Sequence, residues 1–196
     1  MPRQNPKILV FAGSTRGGSF NAQLAALVTK KLALRDVDVT QISLADYEMP
    51  LYNGDLEQES GPPEAAVKLH KLFSTHQGIF IASPEYNASI TPLLKNTIDW
   101  VSRVKPAPGA GSAFKKRVFA IGAASNGYYG GMRSLLQIRH VLEIGLGATV
   151  IPEQISVPGA ATAFTDLGDL EAERSRAMLD AMLTRFIEEA ERYVRA

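Results

Sequence analysis

Apolar residues fall along the chain in two spacings: short unbroken runs, and runs that recur every three or four positions. Lys7-Ile-Leu-Val-Phe-Ala12 is apolar without alternation, which reads as a strand covered on both faces. Gly78-Ile-Phe-Ile-Ala-Ser83 and Arg117-Val-Phe-Ala-Ile-Gly-Ala-Ala124 read the same way, and Ala148 to Ile151 predicts a further strand. Val37 to Leu44 alternates more, through Val37, Val39, Ile42 and Leu44, as a strand nearer a sheet edge does.

Helical spacing fills the intervals. Phe20, Leu24, Leu27 and Val28 stand at i, i+4, i+7 and i+8. Pro62-Pro63 opens a helix with Ala65, Leu69, Leu72 and Phe73 on one side. Thr91-Pro92 supplies a capping hydroxyl and a proline at the first helical position. The helix that follows has two apolar rows: Leu94, Ile98, Val101, and Leu93, Trp100, Val104. One row serves the sheet. The other serves either a subunit interface or wider burial within its own domain. Gly130 to Gly145 predicts another helix, and about Asp169 to Arg195 a last one, with Met178, Met182, Phe186 and Ala190 in step.

Strands alternating with helices make parallel βαβ units and a doubly wound sheet. The expectation is one α/β domain over residues 1–196, a flavodoxin-like three-layer sandwich with sheet order 2-1-3-4-5. Val104 to Lys116 and Pro158 to Gly168 read as surface loops too short to mark a domain boundary. In such sheets ligands bind beyond the carboxyl ends of the strands where the order reverses. That directs attention to Gly13–Asn21 and Pro84–Ile90.

Composition narrows the chemistry. The 196 residues include 21 Lys plus Arg against 20 Asp plus Glu, a net charge of +1, which gives no support to a nucleic-acid partner or to a strongly acidic electron shuttle. The absence of cysteine excludes disulfides, zinc–cysteine sites, iron–sulfur clusters and thiol catalysis. His70, His76 and His140 are scattered and read as surface residues, and the carboxylates show no metal spacing. The run Ile8 to Ala12 is too short for a signal-peptide core, and no stretch approaches the roughly 20 apolar residues of a membrane span. A cytoplasmic protein without a membrane partner is the expectation.

The segment Gly13-Ser-Thr-Arg-Gly-Gly-Ser-Phe-Asn21 joins a buried strand to a helix. Exposed amides at a helix start attract an anion, aided by the helix dipole. Ser14, Thr15 and Ser19 add hydroxyl donors, Asn21 an amide and Arg16 a charge, while Gly17 and Gly18 let the backbone curl closely. No Gly-Lys-Ser/Thr closes the loop, so it is not a Walker A motif, and it lacks the Gly-x-Gly-x-x-Gly spacing for a dinucleotide pyrophosphate. A phosphate monoester, as on FMN, fits better. Helix capping alone would need one such residue. Across the switch point lies Ser83-Pro-Glu-Tyr-Asn-Ala-Ser89, where Pro84 and Asn87 are turn formers and Tyr86 can face a planar ring.

These loops, with Met49-Pro-Leu-Tyr-Asn53, Asp99-Trp100 and Gly130-Gly-Met-Arg133, resemble the NAD(P)H-dependent FMN reductase family over roughly residues 7–157. The resemblance implies non-covalent FMN, NAD(P)H as co-substrate, a small-molecule acceptor such as a quinone, free flavin, azo compound or metal ion, and a homodimer or homotetramer. It puts phosphate contacts on Ser14, Arg16, Ser19 and Asn21, flanked by Thr15 and Phe20. Ring and ribityl contacts fall on Pro84, Glu85, Tyr86 and Asn87. The loop Ser125-Asn-Gly-Tyr-Tyr-Gly130 completes the pocket, with Ser125 and Gly127 as contacts and Tyr128 and Tyr129 free to flank a ring or pack elsewhere. No catalytic side chain is required by this chemistry and no metal site is expected. A flavodoxin-type electron carrier is the competing reading, against which Arg16 and the near-neutral charge count.

Overall fold

A computed structural model describes residues 5–35, 37–106 and 111–194. Its elements run β1 (Lys7–Ala12), α1 (Phe20–Ala33), β2 (Asp38–Gln41), α2 (Gly54–Ser60), α3 (Glu64–Thr75), β3 (Gly78–Ala82), α4 (Pro92–Arg103), β4 (Val118–Ala124), α5 (Met132–His140), β5 (Thr149–Val157) and α6 (Glu173–Val194). The strands form one five-stranded sheet of order β2-β1-β3-β4-β5, and every pairing is parallel. This is the flavodoxin-like architecture expected from the alternation.

The unbroken apolar runs are explained by two cores, one on each face. Along β3, Ile79 and Ile81 enter the core under α3, α4 and α5, with Phe73, Ile98 and Leu135. Phe80 and Ala82 enter the opposite core under α1 and α6, with Leu24, Val28 and Phe186. A central strand with helices on both sides has no polar face to show.

The differences from the sequence pattern are local. The edge strand stops at Gln41; Ser43 then caps a short 3-10 turn, Leu44–Asp46, by accepting a hydrogen bond from the Ala45 N–H at 3.2 Å. Helix α2 left no hydrophobic signature because none of its residues is buried; Asn53 caps it, accepting from the Asp55 N–H at 2.8 Å. Strand β5 runs six residues beyond Ile151, past Pro152, with its register to β4 shifted between Phe119 and Ile121. Pro152 is tolerated because β5 is an edge strand and Ile151, Pro152 and Glu153 fall together in the register break opposite Ala120. Residues Val141–Gly145 continue α5 as a π-helical turn. Helix α6 begins later than expected because Phe164 and Leu170 form a β-bridge first. In α3 it is Ala66 that is buried with Leu69 and Phe73. Residues 107–110 of the Val104–Lys116 loop, and Arg195, lie outside the described residues.

Two histidines correct the surface reading: His70 and His76 are both 6% exposed, whereas His140 is exposed. His76 Nδ1 donates to the Leu72 carbonyl at 2.7 Å, and its Nε2 lies 3.0 Å from the Thr40 hydroxyl. They flank Arg117, 3% exposed, which donates to the carbonyls of Phe73, His76, Ser112 and Lys115. Burial pulls the Arg117 guanidinium down to about 10 and holds both imidazoles below their ordinary 6.5. A histidine whose folded value is lowered binds fewer protons folded than unfolded, so stability falls with falling pH. The urea midpoint is expected to be flat above neutrality and to fall as pH drops below 6.5. In His76→Gln the decline should be shallower; an identical slope would mean that these imidazoles do not contribute.

Candidate functional site

The carboxyl ends of β1, β3 and β4 surround a cavity of about 330 Å³. Ser14, Arg16, Ser19, Phe20 and Asn21 form one wall; Pro84, Glu85 and Tyr86 form the other; Ala124, Ser125 and Asn126 close it. Nine of the sequence candidates thus meet in one place. Thr15 instead lines an adjoining hollow with Met49, Pro50 and Leu93. Asn87 and Gly127 are not among the lining residues of either. Ala124 has no signal in the sequence, and Asn126 enters there only as a member of the Ser125–Gly130 loop. Ala124 is the last residue of β4, and Asn126 is fixed by accepting a hydrogen bond from the Ala161 N–H at 2.7 Å.

Local chemistry holds the first loop open. Ser14 Oγ accepts from the Arg16 N–H at 3.2 Å, and the Arg16 carbonyl accepts from the Ser19 N–H at 3.2 Å. Ser19 sits at the N-cap of α1 but its hydroxyl caps nothing. Among the described residues, the N–H groups of Gly17, Gly18, Phe20 and Asn21 find no backbone acceptor, and Arg16 has no carboxylate partner. An array of free donors with an unpaired cation at a helix N-terminus suits a phosphate. The residues therefore fit FMN at this end.

Asn21 has a firmer role than a loop donor. It is 4% exposed; its Nδ2 donates to the Ala124 carbonyl at 2.9 Å, and its Oδ1 accepts from the Ala124 N–H at 3.0 Å. One side chain thereby fixes the start of α1 to the end of β4.

The second loop is a tight hairpin. Tyr86 and Ser89 exchange both backbone hydrogen bonds, at 2.9 and 3.0 Å, around Asn87 and Ala88, which have φ of 49° and 63°. Left-handed residues at both central positions define a type I′ turn, which asparagine tolerates well and alanine less so. The turn leaves the Tyr86 side chain 53% exposed at the cavity.

Glu85 is held by a neighbour. Arg133 Nε donates to Glu85 Oε1 at 2.6 Å, its Nη2 pairs with the same oxygen, and the Arg133 backbone N–H donates to Oε2 at 3.1 Å. The carboxylate thus sits at the N-terminus of α5, where the helix dipole favours an anion. Arg133 also lies 5.3 Å from the Tyr129 ring centroid; Tyr129 meets Tyr128 edge-on at 5.4 Å, and Tyr128 is 90% exposed.

The two loops are tied to each other. Thr91 Oγ1 donates to the Gly13 carbonyl at 2.8 Å while accepting from the Leu94 N–H at 3.1 Å. Thr91→Val should cost about 1–2 kcal/mol, the scale of a lost N-cap with a buried partner. The urea midpoint is the measurement, and a loss below about 0.5 kcal/mol would show that Thr91 does not join the loops. Behind them, Trp100 Nε1 and Asn96 Nδ2 both donate to the Pro50 carbonyl, at 2.7 and 2.9 Å, and Trp100 packs edge-on against Tyr52. Trp100 is fully buried in its own chain, while Leu93 and Val104 of the same row are half-buried.

A five-stranded parallel sheet with an anion cradle at its switch point defines the class, a flavodoxin-like α/β protein. A family model described as NADPH-dependent FMN reductase matches residues 6–162, and the chain belongs to this family. It is an oxidoreductase that works with FMN and NAD(P)H. A quinone reductase of Escherichia coli K12 is 36% identical over 137 residues, 69% of each chain. A quinone reductase of Pseudomonas putida is 32% identical over 184 residues, 91% of each. An NAD(P)H-dependent FMN reductase of Pseudomonas aeruginosa is 29% identical over 181 residues, 90% of this chain and 91% of that one. Among solved structures, the flavoenzyme FerB, an NAD(P)H:(acceptor) oxidoreductase of Paracoccus denitrificans, superposes with a TM-score of 0.78 at 24% identity, over 96% of this chain and 98% of that one. No described helix is long and apolar enough to cross a membrane, and no group of three or more metal-ligating side chains occurs among the described residues.

Proposed function

We propose that the protein moves a hydride equivalent from NAD(P)H through FMN to a small acceptor, with a quinone as the acceptor the relatives' names favour. The observation that carries the reading is the single cavity in which the free donors around Arg16 face Tyr86 across the β1/β3 switch point. When bound, FMN supplies the redox chemistry, taking two electrons from the nicotinamide and releasing them to the acceptor.

The chain's residues bind and orient. The free N–H groups of Gly17, Gly18, Phe20 and Asn21, the hydroxyls of Ser14 and Ser19 and the Arg16 charge would hold the phosphate, with Phe20 alongside and Thr15 in the adjoining hollow. Asn21 keeps that loop in place through Ala124. Pro84, Glu85 and Tyr86 would border the ring and Ser125 would close the third side; Asn87 and Gly127 stand in the same two turns, outside the cavity lining. The Tyr86 N–H is spent on Ser89, so the backbone donors left to the ring's polar edge in that turn are those of Glu85 and Asn87. No side chain is assigned a proton-transfer role. Use of NAD(P)H as co-substrate supports a cytoplasmic location.

The decisive experiment is a visible spectrum of FMN-loaded protein before and after anaerobic NADH or NADPH, followed by steady-state turnover with a quinone. Bleaching and turnover support the reading. A yellow protein that oxidises neither nicotinamide would be a carrier, and a colourless one that binds no FMN would remove the site. We further propose self-association through the exposed row Leu136, His140 and Ile144, of which Leu136 and Ile144 are 57% and 75% exposed. Ile144→Asp should shift the sedimentation coefficient toward that of a monomer; an unchanged value would place the interface elsewhere.

A further inference from the structure

Among the described residues that line the flavin cavity two are charged, and they stand on opposite walls: Arg16 beside the phosphate loop and Glu85 on the ring wall. The cation is unpaired and the anion is not. Three donors from the start of α5 converge on the Glu85 carboxylate: the Arg133 N–H at 3.1 Å, Arg133 Nε at 2.6 Å, and Arg133 Nη2. The Glu85 side chain is 8% exposed and that of Arg133 54%, so the cation reaches in from solvent to meet a buried anion. Arg133 lies in the first turn of α5, which holds no acidic residue of its own. A cation in that turn opposes the helix dipole, and Glu85 supplies from another element the anion that the helix start lacks. Tyr129 backs the guanidinium from the loop after β4, and Ser156 Oγ steadies that loop by donating to the Tyr129 carbonyl at 2.9 Å.

We propose that Arg133 is a positioning residue that sets the reduction potential of the bound flavin, by keeping the Glu85 charge neutralised and drawn against α5. The proposal rests on this cavity being the FMN site. A ring that accepts a hydride takes up two electrons and one proton, and so gains one negative charge; the nicotinamide that gave the hydride becomes one charge more positive. An unpaired carboxylate in the ring wall would oppose that gain. A carboxylate bound to a guanidinium and to a helix N-terminus opposes it far less. Few water molecules separate wall and ring in a cavity of about 330 Å³, so the charge is felt more strongly there than in bulk solvent.

The measurement is the two-electron potential of FMN-loaded protein, by anaerobic spectrophotometric titration against a dye of known potential. This potential compares the protein's affinity for oxidised and reduced FMN. Arg133→Gln should weaken reduced FMN relative to oxidised FMN about tenfold, the scale of one unit charge acting over roughly 10 Å at an effective dielectric of about 20. For a two-electron couple that lowers the potential by about 30 mV. Glu85→Gln leaves the guanidinium unpaired and should raise the potential, by less, because Arg133 is half exposed and screened by water. The double variant should return close to the parent, and Arg133→Lys, which keeps the charge, should stay closer to it than Arg133→Gln. A pair that only braces the two loops would weaken both forms of FMN alike. Unchanged potentials in the two single variants, or shifts of the same sign, overturn the proposal. If Arg133→Gln loses the flavin, Glu85→Gln and Arg133→Lys decide by the same readings. A parent protein that binds FMN in neither form counts against the flavin reading itself.

Discussion

Replacing Arg16 by alanine is expected to weaken FMN binding by ~1.5–3 kcal/mol, the scale of hydrogen bonds to a charged group. Arg16 is exposed, lines the cavity and has no carboxylate partner among the described residues. Its charge is therefore available to a phosphate instead of being neutralised by the protein. For the same reason the variant should fold as well as the parent, with a urea midpoint for FMN-free protein unchanged within about 0.5 kcal/mol. Fluorescence quenching of FMN measures the affinity. Arg16→Lys should fall between the two, because an ammonium keeps the charge and loses the planar fork. Unchanged affinity in Arg16→Ala would mean that the loop binds something other than the phosphate.

Gly131→Ala is expected to be the most destabilising of these changes, by about 3 kcal/mol. Gly131 has a φ of +88°, and a Cβ there would stand 2.6 Å from the Cβ of Ala123 in β4. Left-handed backbone costs a substituted residue about 1–2 kcal/mol. Overpacking a filled interior adds about 1–3 kcal/mol. The residue also precedes α5 as its N-cap, and its carbonyl shares the single Ser134 hydroxyl proton with the Ser83 carbonyl, at 2.8 and 3.0 Å. Displacing it should loosen both loops that border the cavity, so FMN affinity should drop with stability. Gly145→Ala is the control: nothing lies within 4 Å of its Cβ position and its φ is ordinary. Equal midpoints for Gly131→Ala and the parent would show that the turn can yield.

Much of the site was legible because its residues lie on two short loops at strand ends, and strand ends are set by hydrophobic pattern. Gly13–Asn21 and Pro84–Ser89 needed only the buried runs before them and the helix starts after them to be located. What those residues do was less legible. Asn21 reads as a phosphate donor in sequence, yet its amide is clamped to Ala124, 103 positions away. Glu85 reads as a ring contact, yet Arg133 holds its carboxylate, 48 positions away. Partners at such separations leave no periodic trace. His76 looked like a surface residue for a similar reason: Thr40, which faces its Nε2, belongs to a strand 36 positions earlier.

By itself, then, the sequence determined the parallel sheet, its switch point and the two loops that meet there, since strand burial, helix spacing and capping are local in the chain. It also fixed the family, because the Ser/Arg/Asn loop and Pro84-Glu-Tyr-Asn87 are contiguous motifs. Only the tertiary structure decided that Trp100 is internal, that β5 continues past Pro152, that two histidines are buried, and that Arg133 holds Glu85 at the cavity wall. Each depends on which side chains meet across the fold. That is settled by packing between elements distant in sequence.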